Sequence, residues 1–84
     1  MVGVPLSALG AAIRAARLER GLTQEDLARR SGKHAAYLSG VEHGDRNPTH
    51  QTLAVIAAAL EMPLSQLVIE AEEMAERMNG GTPD

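Results

Sequence analysis

Residues 23–44, TQEDLARRSGKHAAYLSGVEHG, constrain the fold more than any other stretch of this chain. The Thr23 hydroxyl can cap a helix, Asp26 can bond back to the Thr23 amide, and Leu22 can pack on Leu27. Together these make an N-cap, a capping box with Asp in place of Glu, and a hydrophobic staple, so a helix is expected to start at Gln24. Glu25 and Asp26 suit the positive end of its dipole, and Arg29 and Arg30 the negative end. Gly32 is the stop, because glycine enters the left-handed conformation cheaply. A further helix is expected over 34–43, with Leu38 and Val41 inward and Gly44 closing it. Two helices this short, joined by so tight a turn, match the helix-turn-helix unit, whose second helix is shaped for a DNA major groove.

The rest of the chain supplies helices to hold that unit. Leu6, Leu9, Ile13 and the Ala16/Arg17 level recur at helical spacing, with Ser7 as cap and Gly21 as stop, which predicts a first helix over 7–20. Arg17 lies at the edge of its apolar stripe and is a candidate for a partly buried ion pair. Residues 45–49, DRNPT, form a polar turn in which Pro48 cannot continue a helix and Thr49 can cap the next one. Leu53, Ile56, Ala57 and Leu60 mark the buried stripe of that fourth helix. Pro63 opens a fifth, with Leu64, Leu67, Val68, Ala71, Met74, Ala75 and Met78 along one side. The expected architecture is all-α and five-helical: an arm over 1–6, the helix-turn-helix domain with its C-terminal extension over 7–78, and a disordered tail over 79–84.

With 84 residues the chain is one domain, near the size where a single core only just suffices, so a compact bundle or dimerisation is expected. It has no Cys, Trp or Phe, so there is no disulfide framework or thiolate metal site, and the core must be aliphatic. No apolar run is long enough for a membrane span, and the start MVGVP lacks the pattern of a signal peptide, so an intracellular, cytoplasmic protein without membrane contact is expected.

The net charge of -3 argues at first against a polyanionic partner, but the charges are unevenly distributed. Residues 1–50 hold seven Lys/Arg against five Asp/Glu, a balance of +2, and all three histidines; residues 51–84 hold Arg77 against six acids, a balance of -5. One half can face phosphate while the other is repelled by it. A plainly solvated acidic face would look the same.

The length of the fifth helix also bears on assembly. A core of this size needs only its first two turns or so, yet the apolar stripe runs on to Met78. Exposed Met74 and Met78 would be a liability on a monomer, so Val68, Ala71, Met74, Ala75 and Met78 are expected to form a dimer interface. The alternative is that this helix folds back over the first, near Leu18, and completes the monomer core.

The pattern Leu9-Gly10, Ile13-Arg14, Arg17, Gly21-Leu22-Thr23-Gln24, Leu27-Ala28, Ser31-Gly32, Tyr37-Leu38-Ser39, Val41-Glu42, Gly44, Arg46-Asn47-Pro48-Thr49 and Leu60 resembles the Cro/phage-repressor helix-turn-helix, the xenobiotic-response-element class. The resemblance covers about residues 7–70, and the Tyr-Leu-Ser run before Val-Glu is similar to the small controller proteins of restriction-modification systems. It implies a lambda-repressor-like fold and a bacterial or phage transcriptional regulator, nucleoid-associated when bound. It further implies a homodimer on a partly palindromic double-stranded operator, with half-sites roughly 34 Å apart; such a regulator is expected to act by occupying its operator and blocking or contacting RNA polymerase. Arg17 is implied to pair with Glu42.

By the same resemblance Gln24 reaches phosphate, although it could be an ordinary exposed residue of a first turn, and Arg46 and Asn47 serve the DNA backbone. The outer surface of the third helix is expected to carry Lys33, His34, Ala35, Ala36, Tyr37, Ser39, Gly40 and His43. Relatives commonly place Arg, Gln, Thr or Lys where this chain has Ala35, Ala36 and Gly40. A bidentate contact discriminates between bases by about 1–3 kcal/mol and an alanine methyl offers only a thymine methyl, so direct readout is expected to be thin. Gly40 also costs about 1 kcal/mol relative to alanine, which suggests a close approach of backbone to phosphate or to a neighbouring helix. Lys33 stands where an apolar residue is usual and can send its ammonium outward; His34 replaces the usual Ser/Thr cap. Tyr37 can bond phosphate or base, pack at the junction of the two helices, or do both. DNA deformability would supply remaining discrimination.

No catalytic constellation is visible: His34, His43, Glu42 and Asp45 lie near one another in sequence, but no second cluster completes a metal site and no nucleophile has a base. No cofactor is expected. The competing reading is a protein-interaction module, an antirepressor, antitoxin or coactivator, built on the same scaffold after its reading surface lost its donors.

Overall fold

Five helices, and no strand among the described residues, make up the computed structural model, which describes residues 4–79: α1 (Leu6–Glu19), α2 (Gln24–Ser31), α3 (Ala35–Glu42), α4 (His50–Ala59) and α5 (Leu64–Met78). The helix-turn-helix starts where its caps place it. The Thr23 hydroxyl accepts the Asp26 N–H at 3.0 Å, and the Asp26 carboxylate accepts the Thr23 N–H at 2.9 Å. α2 stops at Gly32, left-handed at φ 71°. Gly21 and Gly44 stop α1 and α3 at φ 69° and 79°, and the Leu22 and Asp45 N–H groups reach back to the Arg17 and Gly40 carbonyls. Thr49 caps α4 by accepting the Thr52 N–H at 3.1 Å.

Two boundaries differ from expectation. α1 begins at Leu6, because the Pro5 carbonyl accepts the Ala8 and Leu9 N–H groups and Pro5 itself sits at the cap, where its missing N–H costs nothing; the Ser7 side chain makes no cap bond. The arm expected over 1–6 thus ends at Pro5, and residues 1–3 lie outside the described residues. α3 is shorter than 34–43, with His34 and His43 flanking it rather than lying inside it. The expected tail begins at Asn79, the cap of α5; its remaining residues, 80–84, also lie outside the described residues.

The core is aliphatic, with Ile13, Leu27, Leu38, Val41, Ile56, Leu60 and Leu67 fully buried. α1 is its spine, packed chiefly against α5 and also against α3. Arg20 ties α1 to the end of α4 by donating to the Leu60 and Ala16 carbonyls.

α5 folds back along α1. Leu67 and Ala71 are each 0% exposed, so Ala71 belongs to the core of this chain and not to a free interface. Met74 and Ala75 are half-buried, and Met74 lines a groove with Ala11, Ala15 and Leu18. Val68 lines a different groove, with Leu6, Leu9, Pro48, Leu53 and Leu64. The five residues expected to share one interface are therefore divided, because Val68 lies about 100° around the helix from Leu67 and so on the flank of the buried stripe. Met78 and Leu18, each 52% exposed, remain open. Among the described residues no single helix is long and apolar enough to cross a membrane.

Candidate nucleic-acid interface

α3 is seated by its inward residues. Leu38, Val41 and Glu42 are buried, and α1 meets the helix almost backbone to backbone: a Cβ added at Gly10 would lie 2.3 Å from the Val41 carbonyl oxygen and 2.5 Å from that of Glu42. Only glycine fits there. Glu42, buried at the end of the helix, accepts Arg17 Nε at 2.7 Å and Nη2 at 3.0 Å. The remaining Arg17 Nη1 donates to the Leu22 carbonyl at 2.9 Å. The fork thus clamps α1, the entry to α2 and the end of α3 together. Its hydrogen bonds to Glu42 hold the Arg17 guanidinium even more firmly protonated than usual.

Gln24 departs from its expected outward role. Its Nε2 donates to Glu42 Oε1 at 3.0 Å, so the side chain is half-buried and tethered to the clamp. Any reach toward phosphate must start from that bond. No sequence signal pointed to it, since Gln24 and Glu42 lie 18 positions apart.

The outer surface carries the other expected residues. Ala36, His34 and His43 are exposed; Lys33, Ala35, Tyr37, Ser39 and Gly40 are half-buried. His34 occupies the N-cap and makes no side-chain cap bond. The His43 ring is turned onto its own helix, with Nδ1 2.8 Å from the Ser39 carbonyl oxygen. Arg46 and Asn47 are exposed in the loop after α3, while Pro48 is buried beneath them. Tyr37 packs on the core, and Arg46 Cζ stands 5.9 Å from the centroid of its ring. Gly40 makes no close approach to another helix: the group crowding it is the Arg46 side chain, with Cγ 2.8 Å from where a Cβ would be.

Of the acidic residues of α5, Glu72, Glu73 and Glu76 are exposed and Glu70 is half-buried. Among the described residues no group of three or more His, Asp or Glu is arranged to hold a metal ion.

A short helix seated by a buried clamp, with its opposite side open and an exposed arginine in the loop beyond it, defines a helix-turn-helix DNA-binding domain. Residues 13–67 match the helix-turn-helix model HTH_3, and the chain belongs to this family of transcriptional regulators. It is similar to the HTH-type transcriptional regulator y4dJ of Sinorhizobium fredii, 47% identical over 57 residues, which span 68% of this chain and 74% of the relative. Its fold is similar to the clp gene regulator ClgR of Corynebacterium glutamicum, with a TM-score of 0.87 and 30% identity over 94% of this chain and 84% of that one. The restriction-modification controller protein C.Esp1396I, solved as a tetramer with its natural 35 base-pair operator, gives a TM-score of 0.79 and 34% identity over 87% of this chain and 96% of that one.

Proposed function

We propose that this chain is a sequence-specific regulator that binds a partly palindromic operator as a homodimer, with α3 in the major groove, and acts by occupying the operator and blocking or contacting RNA polymerase. The observation that carries this reading is the division of α3: Leu38, Val41 and Glu42 are locked inward, while Lys33 to Tyr37, Ser39, Gly40 and His43 are left at the surface beside Arg46 and Asn47. Arg46, Asn47 and Lys33 supply phosphate contacts that fix register; Tyr37, His34 and Ser39 are the groups able to meet base edges. The operator complex of the similar controller protein supports both the partner and self-association. The dimer is proposed to form through the outer part of α5, where Met78 is exposed, Ala75 is partly covered, and the partly covered Met74 lines a groove with Leu18.

Exposed Ala36 and side-chain-free Gly40 offer no donors to bases, which favours one alternative, a protein-interaction module on the same scaffold. Selection of bound sequences from a random duplex pool separates the two. Enrichment of a two-fold symmetric consensus, with half-sites about one helical turn apart, is expected; a pool that stays random at low salt would favour the interaction module.

A further inference from the structure

Glycine inside a short helix is unfavourable relative to alanine, so Gly40 needs a reason. The structure supplies one in the residues around it. A Cβ at Gly40 would lie 2.8 Å from Arg46 Cγ, 3.5 Å from Nε and 3.8 Å from Cδ, so the whole Arg46 stem crosses α3 at this residue. The guanidinium then ends over Tyr37, one turn back on the same side of the helix, with Cζ 5.9 Å from the ring centroid. Tyr37 is itself packed against the core, which makes its ring a fixed platform. The loop is anchored at the same place, because the Asp45 N–H donates to the Gly40 carbonyl at 2.8 Å.

We infer that Gly40 is a positioning residue: its missing side chain opens a path across α3 by which Arg46 reaches Tyr37, so that the guanidinium is held at the outer surface of the helix before DNA arrives. A free arginine must give up many rotamers on binding, and ordering it beforehand removes part of that cost. Absence of a base-reading side chain at this position is thereby exchanged for a placed cation. The inference rests on the reading that α3 meets DNA, but its intramolecular half does not.

The test uses the full chain in two measurements. In the DNA-free protein, NMR should find the Arg46 Cγ and Cδ protons shifted upfield by the ring of Tyr37, the only Phe, Tyr or Trp in the chain, and that shift should vanish in Gly40→Ala and in Tyr37→Leu. With a duplex selected by the native chain, Gly40→Ala should bind roughly tenfold more weakly, as for one charge-assisted hydrogen bond lost, while melting no lower than the native chain. In the Arg46→Ala background the same Gly40→Ala change should carry no further penalty. An undiminished penalty in that background would mean the added methyl meets DNA directly, and native affinity in Gly40→Ala would mean Arg46 needs no path; either result overturns the inference. Failure of the native chain to retain any duplex would instead defeat the functional reading, with the NMR shift still deciding where Arg46 lies.

Discussion

The backbone of Gly10 rests against the carbonyl of Val41, so closely that α1 and α3 touch without a side chain between them. This contact, together with the Arg17–Glu42 clamp, sets how far α3 stands out from the bundle. Gly10→Ala brings the better helix former into α1, yet the atoms it meets are main-chain oxygens that cannot rotate away. Overpacking of this kind costs about 1–3 kcal/mol. A urea midpoint below that of the native chain is expected, and an equal or higher one would show that the helices separate freely.

Glu42→Ala should be among the most damaging single substitutions. It leaves the Arg17 guanidinium buried without its carboxylate and frees Gln24. Loss of one member of a buried pair costs roughly 3–5 kcal/mol, enough to lower the melting temperature markedly. An unchanged melt would remove the structural role given to this pair.

Acid sensitivity should include a contribution from the start of α2. The Thr23 backbone and hydroxyl hydrogen bonds, aided by Arg29, hold the Asp26 carboxyl below its ordinary range. A depressed folded value means that Asp26 stabilises the fold fully above its unfolded pKa, near about 3.9, and that this contribution fades as pH falls toward the folded value. The stability difference between the native chain and Asp26→Asn should therefore be constant near neutral pH and shrink below about pH 4. A difference that grows on acidification would contradict the sign.

Assembly through the outer part of α5 has a direct test in sedimentation. Met74→Asp combined with Met78→Asp should convert the proposed dimer to monomer with helical content retained, since Met78 is exposed and Met74 only half-buried. A dimer that persists would place the interface elsewhere, with exposed Val55, exposed Ile69 or the groove at Val68 as other apolar surfaces.

Much of the scaffold was legible because its signals are local. The Thr23/Asp26 box, the stops at Gly21, Gly32 and Gly44 and the Thr49 cap each depend on neighbours a few positions away. Of the features that depend on distant partners, the Arg17–Glu42 pair was legible through the family resemblance, and the others were not. Gly10 and Gly40 gain their meaning only when Val41 and Arg46 are placed beside them, and Gln24 turns inward because Glu42 Oε1 accepts a second hydrogen bond beside that from Arg17 Nη2. α4 ends at Ala59, and the turn beyond it is made by Glu61, a non-glycine residue held at φ 60°, where composition offers no stop signal. Periodicity marked the apolar stripe of α5 but left its cover open between a partner subunit and the first helix; Ala71 is buried within this chain.

The most direct measurement is the affinity of the native chain for a selected palindromic duplex and for a scrambled one, titrated over salt. Preference for the palindrome by about 10³, the lower end for specific binders, is expected, with affinity falling steeply as salt rises and the slope flattened by about one in Arg46→Ala. Equal affinity for both duplexes, or binding indifferent to salt, would contradict the assignment of α3 and its loop to DNA.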